Sequence, residues 1–181
     1  MIEIKIIGKG GQGIVLVGEV LAHASVLEGS YASAIAGYGS QARGGEVSCD
    51  VIIAQREILA PFVMKPDYLL CLSFDTYQKN RSLITEKTKV FLNTENQEEE
   101  EGHFLIPASG IAQKVCQNPQ VANMVMLGAF TALTKIVSLD SIMVALSERM
   151  KGKILEGNIR ALKEGYQRMA RDGCPEARRK I

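Results

Sequence analysis

The sequence predicts an α/β fold: an open, mostly parallel sheet with helices on both faces and a helical C-terminal end. Three observations carry that reading. A β-branched run at the N-terminus meets a glycine turn and then an apolar repeat at helical spacing. Short strand-like runs then alternate with polar or helical stretches as far as Pro107. Beyond Met124 the apolar pattern is helical throughout. Strands alternating with helices favour a layered sheet whose crossovers cover both faces.

Each element has its own signal. Ile2–Ile7 is a buried strand stopped by Gly8. Ile14, Leu16, Val17, Val20, Leu21, Ala24 and Leu27 recur on a helical period until Gly29. Ser30–Gly45 is rich in glycine and small residues and predicts a short strand at most, followed by a long loop of the kind that carries function. Val47–Ala54 and Asp67–Ser73 are strands, with an extended connection through Ile58–Pro61 between them. Phe74–Ile84 is a helix, Lys89–Asn93 a strand, Glu98–Glu101 a solvated acidic turn, and His103–Pro107 another short strand.

Met124–Val137 is apolar almost all round and predicts a buried helix. Ser138 caps a helix over Leu139–Met150. Ile154–Ala170 is an amphipathic helix closed by Gly173 and Pro175. Neither an internal repeat nor a low-complexity linker interrupts the 181 residues, so one domain over 1–181 is expected, with residues 172–181 and their basic Arg178-Arg179-Lys180 as a frayed tail.

Composition narrows the function. Lys plus Arg is 21 against 20 for Asp plus Glu, a net +1 that supplies no global field for nucleic acid or an anionic membrane. Hydrophobic residues at 46 % and charged residues at 23 % exclude disorder and fibrous architectures. The four cysteines (Cys49, Cys71, Cys116 and Cys174) form no CxxC pair, which argues against zinc or an iron–sulfur cluster held by this chain alone. Cys71, inside an apolar run, is expected to be a buried, inert thiol. With no leader and no apolar run of membrane-spanning length, a cytoplasmic location is expected.

The strongest chemical signal is Gly8-Lys9-Gly10-Gly11-Gln12-Gly13, a G-x-G-x-x-G at a strand-to-helix junction. Glycines allow positive φ and close backbone approach, and the free amides of the helix start point at the turn with the positive end of its dipole behind them. Phosphate is the natural guest, although the same turn also serves tight helix–sheet packing. A dinucleotide site needs an acid about 20 residues on to grip the ribose. Ser30–Ala36 offers none, which disfavours NAD; the Walker pattern fails too.

The second signal is Tyr38-Gly39-Ser40-Gln41-Ala42-Arg43-Gly44-Gly45-Glu46, in which Arg43 brings a planar charged fork suited to phosphate or carboxylate, or else a surface arginine in a turn. In an open sheet this loop and the glycine turn can meet at the carboxyl edge. The third is Asn123, at the head of the buried helix, where an N-cap role is expected. Gly128 inside that helix costs about 1 kcal/mol against alanine and implies a close crossing by another backbone, a partner chain being one candidate. His23 and His103 are the only histidines, and no nucleophilic triad or carboxylate pair stands out. The inventory suits a ligand-binding or assembling subunit.

Gly8-x-Gly10-Gly11-Gln12-Gly13, then Tyr38-Gly39 with Arg43-Gly44-Gly45, then Asn123 leading into Leu127-Gly128-Ala129 occur in that order. Together they resemble the gamma subunit of the 2-oxoacid:ferredoxin (or flavodoxin) oxidoreductases, over nearly the whole chain. The resemblance implies a Rossmann-like domain within a complex that decarboxylates a 2-oxoacid on thiamine diphosphate. Such a complex passes electrons through iron–sulfur clusters to ferredoxin or flavodoxin and acylates coenzyme A. Thiamine diphosphate and the clusters belong to partner alpha, beta and ferredoxin-like delta subunits. The gamma chain would contribute assembly and the coenzyme A side of the site, through Gly8, Gly10, Gly11, Gln12, Gly13, Tyr38, Arg43, Gly44, Gly45 and Asn123, with no catalytic residue and no metal of its own. The 2-oxoglutarate type is the most similar; Ser40 stands where a proline often follows the Tyr-Gly pair. Pyruvate, branched-chain oxoacid and indolepyruvate types remain open, as does a purely structural docking role.

Overall fold

The computed structural model describes residues 1–39, 45–96 and 102–172. Six strands form one sheet in the order β2-β3-β1-β4-β5-β6. They are β1 (Ile2–Lys9), β2 (Tyr31–Tyr38), β3 (Glu46–Ala54), β4 (Tyr68–Cys71), β5 (Lys89–Asn93) and β6 (His103–Ile106). The helices are α1 (Ile14–Leu27), α2 (Phe74–Lys79), α3 (Ala108–Cys116), α4 (Ala122–Thr134), α5 (Leu139–Arg149) and α6 (Gly152–Asp172).

β1, β4, β5 and β6 pair in parallel, while β3 runs antiparallel to both β1 and β2. β3 is therefore the one reversed strand, and β2 points the same way as β1. The mostly parallel expectation holds, with a β2–β3 hairpin added at one edge.

The two faces are unequal. Ile4, Ile6, Cys49, Val51, Leu70, Leu72, Phe91 and Ile106 form one continuous core with α1 and with α4, which is buried over nearly its whole length. On the other face Ile7, Leu69, Cys71, Val90 and Leu92 pack with Tyr77 of α2 in a smaller cluster. At ~25 cal/mol per Å² of apolar surface, the larger cluster dominates stability.

Three expectations change. β2 is a complete strand of eight residues, paired with β3 along its whole length, where a short strand at most was expected. Its small residues read as loop in isolation. Ala32 and Ala34, however, pack against the core beneath α1, where a pleated surface accepts them. α3 has no counterpart among the sequence expectations. The helix after β4 stops at Lys79 and gives way to a 3-10 turn over Arg81–Leu83.

Gly128 does meet another backbone, and it belongs to α6 of the same chain. A Cβ on Gly128 would lie 2.0 Å from the Leu162 carbonyl oxygen, and one on Gly165 would lie 2.1 Å from that of Val125. Two glycines thus let α4 and α6 cross backbone to backbone. The expected cap is in place: Ser138 Oγ accepts from the Ser141 N–H at 3.1 Å. The acidic turn 98–101 and the tail from 173 onward, with Gly173, Pro175 and Arg178–Lys180, lie outside the described residues.

Candidate functional site

β1 and β2 end at the same edge of the sheet, where β3 begins. The glycine turn leaves β1 there. Gly11 and Gly13 adopt φ of +89° and +71°, a region that L side chains enter only at a cost of about 1–2 kcal/mol. This is why the turn needs glycine at both places. Gly13 occupies the cap position of α1 and makes no side-chain cap bond. Its carbonyl accepts the Val17 N–H at 3.1 Å.

The turn is braced from within. Gln12 Oε1 accepts from the Lys9 N–H at 2.7 Å, and Gln12 Nε2 donates to the Leu72 carbonyl at the end of β4 at 3.1 Å. The Gln12 N–H donates to the Lys9 carbonyl at 3.1 Å, and the Gly10 N–H to the Gly45 carbonyl at 3.0 Å. The backbone amides of Lys9, Gly10 and Gln12 are therefore engaged inside the protein. Those of Gly11, Gly13, Ile14 and Val15 find no backbone acceptor among the described residues.

The second glycine segment meets the first. The Gly39 N–H donates to the Glu46 carbonyl at 2.8 Å, extending the hairpin ladder past Tyr38. A cleft of about 490 Å³ opens between the two segments, lined by Lys9–Gly11, by Gly13–Leu16, by Tyr38 and Gly39, and by Gly45–Val47. Tyr38 is 74 % exposed at its mouth. The described ends of the second loop, Gly39 and Gly45, thus lie beside the glycine turn at the carboxyl edge, where the sequence led one to expect the two to meet. Arg43 and Gly44, with Ser40–Ala42, lie outside the described residues.

Lys9 brings the positive charge and Glu46 the negative among the lining residues. The Lys9 ammonium pairs with Asp75 of α2 at 2.5 Å, and that contact holds the Asp75 carboxyl below the usual carboxylate range. The Glu46 carboxylate accepts from Asn80 Nδ2 at 3.0 Å. Both charges are thereby tied back toward α2 and its C-terminal turn.

Asn123 reaches the same place from behind. It is not an N-cap: Val121 holds that position after a 3-10 turn over Pro119–Val121, itself capped by Asn118, whose Oδ1 accepts from Gln120 at 3.0 Å. Asn123 lies buried in the first turn of α4, and its Oδ1 accepts from the Met124 N–H at 2.9 Å. Its Nδ2 lies 2.3 Å from where a Cβ on residue 13 would stand. Gly8 has a related constraint, since its Cβ would meet Ile14 Cδ1 at 2.6 Å and Gln12 Oε1 at 2.7 Å. The first and third sequence signals, more than a hundred residues apart, are thus packed on one another.

The family described as pyruvate ferredoxin/flavodoxin oxidoreductase matches residues 3–168. This chain belongs to that family. Among its relatives, the 2-oxoglutarate synthase subunit KorC of Methanocaldococcus jannaschii is 37 % identical, covering 91 % of this chain and 92 % of that one. The pyruvate synthase subunit PorC of Methanothermobacter marburgensis is 35 % identical over 96 % of this chain and 100 % of its own. The crystal structure of a keto/oxoacid ferredoxin oxidoreductase gamma subunit from Geobacter sulfurreducens superposes with a TM-score of 0.80 at 27 % identity, covering 96 % of this chain and all of that one. In fold alone, 31 % of a chain of the 2-oxoglutarate:ferredoxin oxidoreductase from Magnetococcus marinus matches with a TM-score of 0.83 at 23 % identity over 96 % of this chain.

Cys49, Cys71, His23 and His103 of this family member are committed elsewhere. Burial pushes the Cys49 thiol up to about 11 and the Cys71 thiol further still, so both are inert. His23 Nε2 lies 3.2 Å from Glu148, and His103 Nε2 lies 3.0 Å from the Tyr77 hydroxyl. Among the described residues no group of three or more His, Cys, Asp or Glu could hold a metal, and no helix is long and apolar enough to cross a membrane. Sequence reasoning missed Lys9 and Glu46 as lining residues. Lys9 occupied the variable position of the glycine motif, and nothing local tied either residue to α2.

Proposed function

We propose that this chain is the gamma subunit of a 2-oxoacid:ferredoxin oxidoreductase that acts on 2-oxoglutarate, and that it supplies the coenzyme A side of the reaction. The observation that supports this is the cleft where two glycine segments meet. Amides of Gly11, Gly13, Ile14 and Val15 stand there at the positive end of α1, in a geometry that favours an anion. A pyrophosphate is the part of coenzyme A suited to such a cradle. Gly10, Gln12 and Asn123 shape it, Tyr38 and Gly45 line the opposite wall, and Arg43 and Gly44 would add their contacts to the same ligand. A cleft of this size falls within the range of small-molecule sites.

Thiamine diphosphate and iron–sulfur clusters would sit in partner alpha, beta and ferredoxin-like delta subunits, with ferredoxin or flavodoxin as electron acceptor and the whole complex in the cytoplasm. Decarboxylation and electron transfer are then the partners' work. This chain's residues bind and orient the acyl acceptor. Similarity to both KorC and PorC chains supports the 2-oxoacid class, and 2-oxoglutarate is favoured by the KorC chain with 37 % identity.

The test uses the assembled complex. With Gly13→Ala or Arg43→Ala, half-maximal acyl-CoA formation should require at least about tenfold more coenzyme A, the loss of one to two charge-assisted hydrogen bonds. The KM for the oxoacid should stay within twofold. An unchanged coenzyme A requirement in both variants, with the complex intact, removes the cleft from the site.

A docking-only reading draws on the internal bonds of Gly10 and Gln12 and on the Asn123 contact with Gly13, all of which serve packing. Under that reading Gly13→Ala loosens subunit assembly and leaves the coenzyme A requirement alone.

A further inference from the structure

The two edges of the sheet are protected very differently. β6 has four residues and turns at once into α3. β2 has eight, Tyr31-Ala32-Ser33-Ala34-Ile35-Ala36-Gly37-Tyr38, without a charge or a proline. Its register against β3 is unbroken for all eight residues, so no bulge twists the edge away. Natural sheets blunt long edges with lysine, proline, bulges or coverage, because a bare edge templates another strand. None of these devices is present in β2 among the described residues. The Ser33 hydroxyl on this strand is also buried with no hydrogen-bond partner among the described residues.

The hydrogen-bond parity of the hairpin fixes what the edge offers. The Gly39 N–H donates to the Glu46 carbonyl, so residues 31, 33, 35 and 37, in step with Gly39, turn their backbone groups toward β3. Ala32, Ala34, Ala36 and Tyr38 turn theirs outward. A twofold axis perpendicular to the sheet through Ile35 sets Ala34 against Ala36 of a second copy and Ala32 against its Tyr38. Every outward-facing residue is then used, and like faces of the two sheets stay on the same side. An axis through Ala34 would leave Tyr38 out.

In this register Ile35 meets Ile35 as a close non-hydrogen-bonded pair, and Ser33 lies opposite Gly37. No like charges oppose one another along the strand. α1 packs over β2, and Val26 and Leu27 at its C-terminal end are exposed.

We propose that two copies of this chain associate through antiparallel pairing of β2 with β2, twofold-symmetric about Ile35, to give one continuous sheet. The axis places residue 35 of each copy at the Cα separation of a close pair, about 4.5 Å, within disulfide reach. Residue 33 faces residue 37 and is out of reach of its own copy.

The experiment uses the full chain with Cys116→Ser and Cys174→Ser as background. Under mild oxidation Ile35→Cys should run mainly as a covalent dimer and Ser33→Cys as a monomer. By sedimentation, the unmodified chain should be a dimer in the micromolar range. Ile35→Lys, which opposes two ammonium groups, should raise the dimer dissociation constant at least tenfold. Ala34→Pro, which removes an outward N–H on an edge strand where proline is tolerated, should do the same. Circular dichroism melts confirm that the variants are folded.

A monomeric parent chain together with an uncrosslinked Ile35→Cys overturns the proposal, as does equal cross-linking of Ser33→Cys. So does an assembled complex in which Ile35→Lys expels a different subunit and Ile35→Cys fails to cross-link, because the edge is then filled by a strand of that subunit.

Discussion

Gln12 shows how one side chain can do structural work inside a binding motif. Its amide accepts from Lys9 and donates to Leu72, tying the end of β1 to the end of β4 across the mouth of the turn. Gln12→Glu removes the donor and sets a carboxylate against a carbonyl, with an expected loss of about 1–3 kcal/mol of stability, read as a lower urea midpoint at unchanged slope. Gln12→Met should cost less, since it leaves unpaired groups without adding a buried charge. Glu28 carries a pH-dependent contact of its own. Burial pushes its carboxyl up, but the Ser138 N–H and the hydroxyls of Ser141 and Ser138 outweigh that and leave its pKa below the usual value. A lowered folded pKa contributes stability above the unfolded value of about 4.3 that is lost as pH falls through the folded one. Glu28→Gln should therefore destabilise the protein at pH 7, and the difference from the parent should shrink below about pH 4. An equal gap at pH 3 and pH 7 would mean that charge is not the cause.

Elements depend on contacts that span the chain. α4 and α6 cross through Gly128 and Gly165, each with a carbonyl oxygen about 2 Å from the missing Cβ. Gly128→Ala or Gly165→Ala should cost about 1–3 kcal/mol through overpacking, a fall of roughly 2–12 °C in Tm for a chain of this size. The double variant should lose less than the sum, because both methyls push the same two backbones apart. Additive losses would show that the glycines act separately. The sequence flagged Gly128 as costly in a helix, but it did not identify the crossing partner. That partner is an amphipathic helix more than thirty residues further on. β2 misled for the opposite reason: its alanines and serine have weak strand preference, and only the apolar underside of α1 and a full ladder with β3 make them a strand.

The whole molecule assembles its cleft from three distant segments, and each was legible to a different degree. Gly8–Gly13 was legible because a strand, a glycine turn and a helix are local. Asn123 was visible as a polar residue at a helix head, but its role as the neighbour of Gly13 needed α4 to lie beneath α1. Lys9 and Glu46 were invisible as a pair, since their ties run to Asp75 and Asn80 in and just after α2. At this scale the Lys9–Asp75 pair predicts that salt and charge tune the cleft. In the assembled complex, Asp75→Asn should release the Lys9 ammonium and lower the coenzyme A concentration for half-maximal activity at low ionic strength, while Lys9→Met should raise it. Identical values for parent and both variants would show that this charge does not reach the ligand.

What the sequence determined by itself was whatever depends on near neighbours in the chain: the strand–turn–helix opening, the cap at Ser138, the buried character of α4 and each of the short motifs that together carry the family. The tertiary structure alone decided the reversed strand β3, the meeting of α4 with α6, the placement of Asn123 against Gly13 and, among the described residues, the unpaired outer edge of β2. Hydrogen bonding and apolar periodicity act along the chain and leave their mark in residue order. Strand pairing and helix crossing bring together groups whose distance along the chain does not by itself fix their distance in space.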